Sequence, residues 1–134
     1  MDTQQMLSGL GIGKILTDRC ADEREFFHKW MGLLLFTLPV TKKQAEVAAE
    51  MLLIRHEMKS QITDPILLDT YCMSPEAKRR CRERMGLREN NFNAMMRALK
   101  RAGFIREDNM IEKRYIPEIG DNLSYRVILA FRRA

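Results

Sequence analysis

Asn90, Asn91, Asn93 and Arg97 stand close together in the stretch ENNFNAMMRALKRA, residues 89–102. Asparagine presents an acceptor and a pair of donors in one plane and can bond adenine bidentately; arginine can do the same with guanine. These four side chains are the candidate base contacts. Asparagine is a poor helix former, so three near the start of one helix point to a use other than helix propensity. The competing use is local, as caps and turns at the helix start.

The charge around them has one sign. Between Lys78 and Arg106 there are ten basic residues against Glu83 and Glu89, a balance of +8, whereas the whole chain carries +5. Basic side chains in such a window can contact phosphates, which sets affinity without reading sequence. The candidate phosphate contacts are Arg79, Arg84, Arg88, Lys100, Arg101, Lys113 and Arg114. A basic stretch is also often a solvated face, and Arg79–Arg84 could pair with acids on an N-terminal helix.

Other chemistries find little support. Gly9-Leu-Gly-Ile-Gly-Lys14 is close to a phosphate loop, but Ser8 stands where its first glycine belongs and Ile15 where a magnesium-binding Ser or Thr belongs. His28 and His56 have no partner at metal-ligand spacing, and Cys20, Cys72 and Cys81 form no CxxC pair. No local motif supplies a nucleophile with its base. We therefore expect no enzyme, no catalytic residue, no cofactor and no metal.

Composition sets the frame for these residues. The 134 residues, 46% hydrophobic and 31% charged, fit one globular domain with a real core. Three widely spaced cysteines argue against a disulfide framework and for a reducing compartment. The N-terminus lacks the basic head and apolar stretch of a secretory signal. The most apolar run, from Trp30 to Val40, is too short for a bilayer span of about 20 residues. The cytoplasm is the expected compartment.

Start and stop signals divide the chain into elements. Residues 1–15 read as an arm. Asp22 with Glu25 opens a helix carrying Phe27, Trp30, Met31 and Leu34, which Pro39 ends. Thr41 with Gln44 opens a second helix over 42–58, with Ala45, Ala48, Met51 and Leu52 on its apolar face. Asp64-Pro65 and Ser74-Pro75 open two more, the latter closed by Gly86. The next runs from Glu89 to Ala102, with Phe92, Met95, Met96 and Leu99 inward. Residues 104–116 then read as two short strands with a turn at Asp108-Asn109, and 125–131 as a third strand. The fold class expected is mainly α with a small antiparallel β wing (α+β). The expected division is residues 1–40, an arm and apolar helix for oligomerisation or docking, and residues 41–134, the main domain.

The order helix, Met85-Gly86-Leu87 turn, helix, Gly103-Phe104-Ile105 resembles the winged helix-turn-helix domains of transcription regulators, over about residues 41–132. The resemblance implies that helix 89–102 enters the major groove of double-stranded DNA while a wing bearing Lys113 and Arg114 holds phosphate. It departs from the family's pattern at Arg88, where a capping Ser or Thr usually stands. Self-association through Phe27, Trp30, Met31 and Leu34 would match a palindromic site. The apolar N-terminal helix, Asp64-Pro65, Asn91-Phe92-Asn93, Gly103-Phe104-Ile105 and Tyr115-Ile116-Pro117 are also similar to features of small proteins of crAss-like tailed phages of gut bacteria. That resemblance implies either a phage regulator or a virion component that uses the domain for docking to other subunits.

Overall fold

The structure, a computed structural model, describes the backbone of residues 12–117, 119 and 124–130, and the side chains of residues 20–117 and 119. Its body is a set of five α-helices: α1 Glu23–Leu34, α2 Lys42–Met58, α3 Pro65–Cys72, α4 Pro75–Met85 and α5 Glu89–Arg101.

Each start is fixed by local chemistry. Asp22 accepts from the backbone N–H of Glu25 at 2.8 Å, and the Glu25 carboxylate accepts from Ala21 N–H at 3.0 Å. Thr41 and Gln44 form a complete capping box at 3.2 and 2.9 Å. Asp64 caps α3 and Ser74 caps α4, each followed by proline at the first helical position. Gly86 closes α4 in the left-handed conformation, with φ of 62°.

α2 is the axis of the body. The expected face of Ala45, Ala48, Met51 and Leu52 is buried, but so are Val47, Ala49, Leu53 and Ile54. The helix is covered all round because α1, α3, α4 and α5 all pack on it. Phe26, Phe27 and Met31 of α1, Cys81 of α4 and Phe92 and Leu99 of α5 complete one core. α1 thus shares that core with α2–α5, and packing shows no break near residue 40.

The fold class differs from expectation. The body is all-α, and no strand forms among residues 20–117. In place of a wing, residues 104–116 make a single bridge between Ile105 and Ile111, then a 3-10 turn at Lys113–Tyr115. The reason lies in what the segment buries. Phe104, Ile105, Ile111 and Tyr115 all point into the helical core, which pulls the chain down onto the body. Asp108 takes the N–H of Met110 at 3.2 Å and the guanidinium of Arg106 at 3.1 Å, so the turn is tied to itself. Outside the body, the backbones of β1 Ile12–Arg19 and β2 Ser124–Ala130 pair antiparallel. That ribbon joins the two ends of the chain and is no wing. The arm expected over 1–15 lies outside the described residues as far as residue 11.

Candidate nucleic-acid interface

α5 turns Phe92, Met96 and Leu99 into the core and leaves Asn90, Asn91, Asn93 and Arg97 exposed. All four predicted base contacts therefore lie on the surface, but not together. At 3.6 residues per turn, Asn90, Asn93 and Arg97 fall within an arc of about 60°. Asn91 lies about 160° round from Asn93, on the flank of Ala94 and Ala98. Asn91 and Asn93 therefore sit on opposite flanks of the exposed face of α5.

Arg88 stands at the N-cap with no side-chain hydrogen bond. The helix starts without a cap, and Glu89 in its first turn is the favourable charge for the positive end of the dipole. Lys100 donates to the Asn109 side chain at 3.0 Å, and Arg101 is exposed.

The basic window divides into paired and unpaired groups. Arg84 donates to Glu57 at 2.6 Å and lies 3.9 Å from Glu50. The hydrogen bond to Glu57 raises its pKa further. Arg80 lies 3.7 Å from Glu57 and donates to the Tyr71 hydroxyl at 3.0 Å. Arg79 pairs with Glu83 at 3.1 Å, and Arg106 with Asp108. The charge of these four is largely answered within the molecule. Among the described residues Lys78, Arg82, Arg88, Arg97 and Arg101 make no ion pair, and neither does Lys100.

Two predicted phosphate contacts have carboxylate partners of their own: Arg84 links α4 to α2, and Arg79 pairs with Glu83, exposed on the same helix. Lys113 and Arg114 are exposed on the 3-10 turn, with the Arg114 guanidinium 5.0 Å from the Tyr115 ring centroid. They sit on no wing. Lys78 and Arg82 were not among the expected contacts. Their i,i+4 spacing was the available signal, since it places them on one stripe of α4 and Arg80 with Arg84 on another, roughly 160° away.

The predicted docking residues point the other way. Phe27 and Met31 are buried in the chain's own core. Trp30 and Leu34 are half-buried against it, with the Trp30 indole donating to the Tyr115 carbonyl at 2.8 Å. Phe27 and Met31 are therefore spent on folding and offer no surface to a partner.

A second charged cluster joins α1 to α2. Glu50 of α2 is 4% exposed. It accepts from Arg24 at 2.9 Å and bonds the His28 ring at 3.1 Å, both on α1. Burial alone would raise its pKa; the hydrogen bonds from His28 and Arg24 outweigh this and lower it to about 2. Nearby, His56 of α2 lies 3.2 Å from Glu23.

No family model, curated protein or solved structure matches the chain. No helix among the described residues is long and apolar enough to cross a membrane. Among those residues no group of three or more His, Cys, Asp or Glu is placed to hold a metal ion.

Proposed function

We propose that this chain is a small DNA-binding regulator, working in a bacterial host cell, which lays α5 in the major groove of duplex DNA. One observation carries the reading. Asn90, Asn93 and Arg97 are exposed on a single flank of α5, and the neighbouring cations lack carboxylate partners. The three side chains are the types that bond adenine and guanine edges. Arg88, Lys100 and Arg101 supply phosphate contacts that position the helix. α4, the Gly86 turn and α5 form the reading unit, and no wing takes part.

The test is binding of the purified chain to mixed-sequence duplexes across a salt series. The reading requires log affinity to fall with log salt at about 0.9 per phosphate neutralised, and Asn93→Ala and Arg97→Ala to weaken binding while Asn91→Ala does not. Absence of binding at low salt ends it.

A second reading, a virion component docking to another protein subunit, is supported by exposed apolar side chains. Phe36 is 83% exposed, and Ile66 and Leu67 of α3 are 75% and 60% exposed. None belongs to α4 or α5. Ile66→Ser with Leu67→Ser would abolish co-assembly in that reading and leave duplex binding intact.

A further inference from the structure

A groove of about 360 Å³ runs between α4 and α5, with Lys78, Arg79 and Arg82 on one wall and Glu89, Phe92 and Asn93 on the other. Lys78 and Arg82 are half-buried in it, and among the described residues neither has a carboxylate partner. The acids of the adjoining helix α2, Glu50 and Glu57, are taken up by Arg84 and Arg80 on another flank of α4. Half-burial matters, because a charge partly withdrawn from water interacts more strongly with a counter-charge than an exposed one does.

From this we infer that the groove is a phosphate-binding cleft, holding one phosphodiester of the duplex backbone between Lys78 and Arg82 with the Asn93 amide as a further donor. The inference rests on the DNA reading and deepens it. Arginine's planar fork suits two oxygens of one phosphate, and lysine adds a point charge. Glu89 lines the opposite wall, and its single charge is outweighed by Lys78 and Arg82 together. Asn93 belongs both to the groove and to the flank bearing Arg97, so a phosphate held here fixes the height of α5 over the bases. The cleft supplies position and affinity, and Arg97 supplies sequence preference.

Two measurements on the full chain separate the cleft from the DNA reading. The first compares wild type with the double variant Lys78→Gln, Arg82→Gln in duplex binding across salt. A double variant Lys42→Gln, Lys59→Gln controls for the same loss of charge elsewhere. The cleft predicts affinity lowered alike for all duplexes and a salt slope reduced by about 0.9, one phosphate contact; a reduction near 1.8 would mean two separate phosphates and overturn the shared cleft. The control should keep its slope. Equal slopes in wild type and the Lys78/Arg82 variant overturn the cleft while leaving the DNA reading in place.

The second titrates inorganic phosphate into labelled protein and follows backbone and Asn93 side-chain amide NMR shifts. Shifts centred on Lys78, Arg82 and Asn93, absent in the double variant and displaced by duplex, support the cleft. Such shifts in a chain that does not bind duplex overturn the backbone assignment and leave a site for a free phosphate ester. No shifts at these residues, or displacement by polyglutamate but not by duplex, overturn the phosphate site itself.

Discussion

The indole N–H of Trp30 donates to the backbone carbonyl of Tyr115 at 2.8 Å, across 85 residues of sequence. This bond ties α1 to the segment after α5, and the Tyr115 ring stacks on Phe104 at 6.0 Å between centroids. Together they hold residues 104–116 against the body and deny them the freedom of a wing. Trp30→Phe keeps most of the apolar surface and leaves the carbonyl without its donor. Chemical denaturation should show a loss of about 1 kcal/mol, and amide exchange should rise in residues 113–116. Unchanged exchange there would show that the bond does not hold the segment.

The carboxylate of Glu50 links α1 to α2 and faces Arg24, His28 and Arg84. Its folded pKa of about 2 lies below the ordinary value of 4.5. A depressed pKa adds stability that is fully present above the unfolded value and fades as pH falls through the folded one. Urea unfolding should therefore lose stability between about pH 4.5 and pH 2, on the order of 3 kcal/mol if Glu50 acts alone. Glu50→Gln should be less stable near neutral pH and should lack that part of the acid slope.

Gly86 holds φ at 62°, and an added Cβ would meet nothing within 4 Å. The cost of Gly86→Ala is then conformational, about 1 kcal/mol. Because the residue sets the angle between α4 and α5, duplex affinity should fall as well. A variant with lower thermal stability and unaltered DNA binding would separate the turn from the reading unit.

Arg97 is exposed in the middle of the α5 flank. Arg97→Ala should cost about 1–3 kcal/mol on the preferred duplex and relax preference at one base pair. Arg101→Ala, at the helix end, should weaken binding to all duplexes alike. Site selection from random duplexes with each variant distinguishes the two outcomes.

Cys20, Cys72 and Cys81 are buried. Burial pushes the Cys72 thiol up to about 11 and Cys81 to about 12. At pH 8 both should resist a thiol reagent in the native protein, and all three cysteines should react on unfolding. Rapid modification of Cys81 in native protein would contradict its packing against Val47, whose carbonyl its thiol approaches at 3.6 Å.

The helices of this protein were legible in its sequence because their signals are local. Asp22, Thr41 with Gln44, Asp64-Pro65 and Ser74-Pro75 act within three residues of where they stand. Even the separation of Asn91 from Asn93 follows from the helical repeat alone. The strand pattern of residues 104–116 misleads, because short apolar runs flanking a turn can equally be drawn onto a nearby core, as Phe104, Ile105, Ile111 and Tyr115 are. A strand needs a partner, and local sequence does not say which segment provides it. The basic window shows the same division. Local sequence determined its net charge of +8 and left open which cations meet acids. Tertiary packing decided that, since Glu57 reaches Arg84 across 27 residues while Lys78 and Arg82 face another helix. Coulomb attraction depends on distance in space, and only the packing of α4 and α5 on α2 sets those distances.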